Sequence, residues 1–70
     1  MQNFMIIHIN NQSVVLPEGS VLAVLASELE LPAQGVAIAV NNRMVPRMGW
    51  DNHPLADGDR VTVIKAACGG

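Results

Sequence analysis

The hydrophobic spacing of this chain changes period at one place, and that change limits the folds open to it. Between Val21 and Glu30 the apolar residues recur about every 3.6 positions, with Leu22, Leu25 and Leu29 on the stripe that Val21 begins. On both sides lie short apolar segments separated by turn residues, as is typical of strands. The sequence therefore predicts an α+β fold with a single main helix.

A hairpin is predicted before the helix. Asn3 to Ile9 is apolar and rich in isoleucine, which suits a strand buried on both faces. Asn10-Asn11 tolerate positive φ and predict a tight turn, after which Gln12 to Leu16 returns as the second strand. Ser20 is expected to cap the helix N-terminus, and Leu31-Pro32 to end the helix, because a residue before proline avoids the α region.

The first segments after the helix also read as strands. Val36 to Val40 alternates large and small residues, so Val36, Ile38 and Val40 are expected in the core and the intervening alanines on a thin outer face. Asn41-Asn42 predicts a second turn. A short strand from Arg43 to Val45 follows, and the proline after it restricts that strand to an edge.

The last third of the chain completes the predicted sheet. Met48 to Asn52 is expected to form a helical turn in which Trp50 closes one end of the core. Asp57-Gly58-Asp59 predicts a turn, and Arg60 to Lys65 the final strand, with Val61 on the inward-facing side. We expect one mixed sheet of four to five strands with the helix packed on one face, in a strand order that the sequence does not specify.

Composition excludes several functions. Only 14% of the residues are charged and the net charge is −2, so the chain lacks the basic stripe of a nucleic-acid binder. It also lacks the apolar run of a membrane span. Cys68 is the one cysteine, His8 and His53 are isolated, and no catalytic or metal-binding motif is present. The protein is expected to be cytoplasmic, with no bound cofactor or metal, and not an enzyme.

The last five residues, Ala66-Ala67-Cys68-Gly69-Gly70, are small and cannot build a core. We therefore predict a folded domain over residues 1–65 and a flexible tail over residues 66–70. The terminal carboxylate is a candidate reactive group. Two glycines would let it pass through a narrow channel to a nucleotide in a partner enzyme.

Five motifs follow one another at set spacings along the chain: Ala37-Ile38-Ala39-Val40-Asn41, Val45-Pro46-Arg47, Trp50, Leu55-x-Asp57-Gly58-Asp59 and Gly69-Gly70. In this order they resemble the ThiS sulfur carriers of thiamin biosynthesis, within the ubiquitin-like β-grasp superfamily. The resemblance covers essentially the whole chain. The segment from Asn41 to Trp50 favours the thiamin branch over the related molybdopterin-synthase small subunits.

The resemblance implies a β-grasp fold and a mechanism. A ThiF-type activating enzyme would adenylate Gly70 with ATP and magnesium, and sulfur from a cysteine desulfurase or another persulfide donor would replace AMP to give a thiocarboxylate. A ThiG-type thiazole synthase would accept that sulfur. Gly69 would permit threading, and Ala66, Ala67 and Cys68 would lie in the channel.

Two residue assignments remain alternatives. Cys68 is expected to be a small tolerated residue, and the alternative is that its thiol discharges an activated Gly70. A partner-binding patch is expected beside the tail, formed by Ile64 with Phe4 and Ile6. Met5 and Ile7 are the alternative pair, because both faces of the first strand are apolar.

Three other functions remain open from the sequence: a molybdopterin-type sulfur carrier, a ubiquitin-like protein modifier, and a non-catalytic interaction module.

Overall fold

The computed structural model describes residues 3–32 and 34–65, which form a five-stranded mixed sheet covered on one face by one α-helix. The sheet order is β2-β1-β5-β3-β4. β1 and β5 run parallel, and every other neighbouring pair is antiparallel. The predicted architecture is confirmed. The elements are β1 (Phe4–Ile9), β2 (Gln12–Pro17), α1 (Leu22–Glu28), β3 (Val36–Val40), β4 (Arg43–Val45), a 3-10 helix (Arg47–Asn52) and β5 (Arg60–Lys65).

The core lies between the sheet and α1. Met5, Ile7 and Ile9 of β1 are buried in one cluster with Leu22 and Leu25 of the helix. The residues between them on β1 are exposed, so the expectation that this strand is buried on both faces was wrong. Successive side chains of a strand point to opposite faces, and α1 covers only one of them.

The helix begins differently from the prediction. α1 starts at Leu22, and the Ser20 hydroxyl donates to the Pro17 carbonyl oxygen at 2.7 Å instead of capping the helix. Val21 is extended and bridges Pro54. The backbone N–H of Leu22 donates to the carbonyl oxygen of His53, so a tertiary contact satisfies this N-terminal donor.

The helix also ends before the proline. Glu30 has a φ of +54°, and its N–H donates to the Ser27 carbonyl oxygen while that of Leu31 donates to Ala26. These two bonds and the left-handed residue form a Schellman motif, in which glycine is the usual occupant of the Glu30 position.

The remaining predictions on strands and turns hold with one correction. Trp50 is buried in the core, and Val61 is buried on the inward side of β5. Ile38 and Val40 are in the core, whereas Val36 is only partly buried. Ala39 lies on the side of the sheet away from α1, as predicted, although it is only 8% exposed. The sequence pattern gave no sign of its pairing with residues on both neighbouring strands.

Three of the four asparagines predicted in turns, Asn10, Asn41 and Asn42, adopt positive φ. Within the described residues, no helix has the length and hydropathy needed to cross a membrane.

Candidate docking face and the strand that leads to the C-terminal segment

β5 is the central strand of the sheet and leads directly into the segment proposed to be reactive. It lies between β1 and β3, and Lys65 at its end pairs with Val36. The predicted site residues Ala66, Ala67, Cys68, Gly69 and Gly70 lie outside the described residues. The site that the structure does describe is therefore the sheet face beside the end of β5.

One face of the sheet is not covered by α1, and we call it the open face. Three of its residues are those predicted for the partner patch: Phe4 is 56% exposed, Ile6 42% and Ile64 48%. Met5 and Ile7 are in the core, so Phe4 and Ile6 are the exposed pair of the two alternatives for β1. By strand register, the open face carries Phe4, Ile6, His8, Ser13, Val15, Pro17, Ala37, Ala39, Met44, Arg60, Thr62 and Ile64.

The strand register separates these three residues into two groups. His8 pairs with Arg60 in the parallel ladder of β1 and β5. Ile6 precedes His8 by two residues and Ile64 follows Arg60 by four, which separates Ile6 from Ile64 by about 20 Å along the strands at ~3.3 Å per residue. These three residues therefore do not form one continuous surface. Parallel strands carry the two residues in opposite directions from the point where they pair.

Two apolar surfaces result. The N-terminal patch consists of Phe4, Ile6 and Val15, and Ile6 and Val15 pair directly across β1 and β2. The C-terminal patch consists of Ala37, Met44 and Ile64. Ala37 pairs with Ile64, and Met44 is 61% exposed on the neighbouring edge strand. Only the C-terminal patch lies beside the end of β5.

A polar strip lies between the two patches. His8 and Arg60 are its centre, both exposed and directly opposite each other on adjacent strands. Ser13 pairs with His8 on the other side, and Thr62 follows Arg60 on the same face. A shallow cleft of about 420 Å³ opens here, lined by His8, Asn10, Gly58, Arg60, Val61 and Thr62.

The acidic turn before β5 has a structural role. The Asp57 carboxylate accepts a 2.7 Å hydrogen bond from the backbone N–H of Ile6. The Asp59 carboxylate accepts from the N–H of Ala56 at 2.8 Å and from the side-chain amide of Asn41 at 3.0 Å. Both carboxylates therefore fix the start of β5 against its neighbours.

The segment containing Arg47 and Trp50 also holds the framework. The Trp50 indole N–H donates to the Val45 carbonyl oxygen at 2.9 Å. The Arg47 guanidinium lies 4.3 Å from the centre of the Trp50 ring and donates to the carbonyl oxygen of Pro32. These contacts join the end of β4, the 3-10 helix and the loop that follows α1.

Sequence reasoning missed the pairing of His8 with Arg60, because the register of β1 on β5 is not visible in the sequence. The sequence did hold one signal of a sheet without negative charge: every Asp and Glu lies outside the predicted strands.

Within the described part of the chain, no group of three or more His, Cys, Asp or Glu side chains could hold a metal ion.

The model of the ThiS family matches residues 3–70, nearly the whole chain. The chain belongs to the ThiS family. It is similar to the sulfur carrier protein ThiS of Escherichia coli strain K12, with 32% identity over 61 residues that cover 87% of this chain and 92% of that protein.

Solved structures agree with this assignment. The fold is similar to the crystal structure of the thiamine biosynthesis protein ThiS from Geobacter metallireducens, with a TM-score of 0.79 and 25% identity. The match covers 94% of this chain and 100% of that structure. Membership of the ThiS family and the ubiquitin-like β-grasp fold, both predicted from the sequence, are thus confirmed. In this member of the ThiS family, several residues that carried the resemblance hold the fold together, among them Asn41, Trp50, Asp57 and Asp59.

Proposed function

We propose that this protein is the sulfur carrier for thiazole formation in thiamin biosynthesis. The observation that supports it most is the ThiS family match, which extends through Gly69 and Gly70. The relative from Escherichia coli is named as a sulfur carrier protein, and that from Geobacter metallireducens as a thiamine biosynthesis protein.

In this proposal the carboxylate of Gly70 is the functional group, and the enzymes that act on it are separate proteins. A carboxylate oxygen attacks the α-phosphorus of ATP in a ThiF-type activating enzyme, and pyrophosphate leaves. The terminal sulfur of a persulfide, from a cysteine desulfurase or another donor, then attacks the acyl carbon and displaces AMP. A thiol cleaves the resulting acyl disulfide, leaving the thiocarboxylate and a new disulfide. A ThiG-type thiazole synthase receives the sulfur.

The sheet has a clear role in this scheme. β5 is held on both sides by neighbouring strands, so the point at which residues 66–70 begin is fixed relative to the open face. A partner that contacts the C-terminal patch would lie close to that point. The domain would thus orient a short reactive segment, and this chain would supply no catalytic side chain.

Intact-mass measurement tests the proposal. The protein is incubated with its activating enzyme, ATP, magnesium and a persulfide donor, beside a variant lacking Gly70. We expect a mass increase equal to the replacement of one oxygen by sulfur in the full chain and no change in the variant. An AMP adduct without sulfur would favour a protein modifier. Neither product, with an activating enzyme proven active on another carrier, would favour an interaction module.

The acceptor is tested separately. Thiocarboxylate made in this way is offered to a thiazole synthase with its other substrates, and to a molybdopterin synthase large subunit with its precursor. Sulfur transfer to the thiazole product alone is the expected result. Transfer to the molybdopterin precursor alone would overturn the assignment to thiamin biosynthesis.

A further inference from the structure

The charges of this protein are divided between the sheet and the rest of the molecule. The five strands contain no Asp or Glu, although the chain has six acidic residues. Three of its four Lys and Arg residues, Arg43, Arg60 and Lys65, lie in strands. A chain with a net charge of −2 thus presents a sheet whose formal charges are all positive.

The positive charge on the open face is that of Arg60, and His8 lies directly beside it. Arg43 pairs with the buried Val40 and so belongs to the side of the sheet that α1 covers. Lys65 pairs with Val36 and likewise has the parity of the covered face. Within the five described strands, Arg60 and His8 are therefore the ionisable groups on this face, and they lie side by side.

The carboxylates of the turn before β5 already accept hydrogen bonds. The Asp57 carboxylate accepts from Ile6, and the Asp59 carboxylate accepts from Ala56 and Asn41. Within residues 3–32 and 34–65, the Arg60 guanidinium forms no ion pair or hydrogen bond. An exposed guanidinium without an internal partner has all of its donors available for a carboxylate.

We infer that the polar strip and the C-terminal patch form one docking surface for an acidic protein partner, in which a carboxylate of the partner lies against Arg60 and His8 while apolar side chains cover Ile64 and Met44. This inference rests on the proposed function, because the partner it fits is the activating enzyme that must also reach Gly70. Charge complementarity fixes the register of docking, and the apolar patch supplies contact area. Arg60 is a specificity-determining residue in this arrangement.

Binding measurements with matched charge changes test the inference. Affinity for the activating enzyme is measured by calorimetry for the full chain and for His8→Gln, Arg60→Gln and Arg60→Glu. Arg43→Gln is the control, since it removes the same charge from the covered side of the sheet. We expect Arg60→Gln to weaken binding about tenfold, Arg60→Glu about 100-fold, and Arg43→Gln less than about twofold. The His8→Gln loss should be about threefold.

Two further readouts separate docking from folding and from general charge. Thermal unfolding of each variant should match that of the unmodified chain, because the Arg60 side chain forms no bond within the described fold. Raising the salt concentration should weaken binding of the unmodified chain more than that of Arg60→Gln. Equal losses for Arg60→Gln and Arg43→Gln would overturn the inference.

The same samples distinguish this inference from the proposed function. Arg60-dependent binding without any change in intact mass supports the docking surface and contradicts the carrier function. A sulfur-for-oxygen mass change, together with binding that does not depend on Arg60, supports the carrier function and contradicts the docking surface. No binding at all contradicts both.

Inorganic phosphate is added as a free-anion probe, and the amide resonances of His8 and Arg60 are recorded. If phosphate shifts these resonances while enzyme binding does not depend on Arg60, the cleft is an anion site and the docking surface is overturned.

Discussion

Asn41 and Asp59 are joined side chain to side chain by a 3.0 Å hydrogen bond, although 18 positions separate them in the chain. The side-chain Oδ1 of Asn41 in turn accepts from the backbone N–H of Arg60 at 3.0 Å. This one side chain therefore connects the turn after β3 to the first residue of β5. Both residues belong to the motifs that carried the family resemblance, and the structure gives them a framework role.

Replacing Asn41 should destabilise the fold more than replacing its neighbour. Asn41 and Asn42 both have positive φ, so alanine is strained at either position by about 1 kcal/mol. Of these two asparagines, only Asn41 uses its side chain in hydrogen bonds among the described residues. We expect Asn41→Ala to lower the free energy of unfolding by about 2 kcal/mol and Asn42→Ala by about 1 kcal/mol. Urea denaturation measures both, and equal losses would contradict the role of the Asn41 side chain.

Trp50→Phe should lower the free energy of unfolding by about 2–3 kcal/mol. The indole is buried, and phenylalanine would leave a void and deprive the Val45 carbonyl oxygen of its donor. Arg47→Gln is the companion variant. It removes the contact over the ring and the bond to Pro32, both at the surface, and should cost under about 1 kcal/mol. A larger loss for Arg47→Gln than for Trp50→Phe would show that the surface contact dominates.

Glu30→Gly should stabilise the protein. Glu30 holds a φ of +54° at the end of α1, a conformation that glycine adopts without strain, so we expect a gain of about 0.5–1 kcal/mol. Glu28→Gly removes the same charge two residues earlier, within the helix, and should cost about 1 kcal/mol. Changes of opposite sign in the free energy of unfolding, measured by chemical denaturation, would confirm that α1 ends in a Schellman motif. A lower free energy of unfolding in both variants would mean that the Glu30 side chain itself stabilises the protein.

Sequence reasoning predicted the elements of this fold well and their relative placement poorly. The spacing of apolar residues and the presence of turn residues are local properties, so the hairpin, the single helix and the last strand could be predicted from the sequence pattern alone. The ending at Glu30 was missed because left-handed glutamate is uncommon, and the start at Leu22 because a distant carbonyl, that of His53, satisfies its N–H. Tertiary contacts of this kind leave no local pattern.

In the candidate site, too, local features were predicted correctly and the relative placement of residues was not. Exposure of Ile64 was predicted correctly from alternation within β5. The distance between Ile64 and Ile6 was not predicted, because it depends on the register between β1 and β5, which are separated by most of the chain. The choice between Phe4 and Met5 was equally inaccessible, because both are apolar and only the position of α1 distinguishes them.

The two apolar patches should differ in their effect on adenylation. Gly70 follows Ile64 by six residues, so it can lie at most about 20 Å from it at ~3.4 Å per residue. Ile6 lies about 20 Å farther along the strands at ~3.3 Å per residue, beyond the polar strip. If the proposed function holds, Ile64→Thr should raise the KM for this protein about fivefold in ATP–pyrophosphate exchange by the activating enzyme, with kcat unchanged. Ile6→Thr makes the same chemical change on an equally exposed strand position and should leave KM within about twofold. A larger effect at Ile6 would place the docking surface on the N-terminal patch and contradict the arrangement in which contact beside the end of β5 delivers the C-terminal segment.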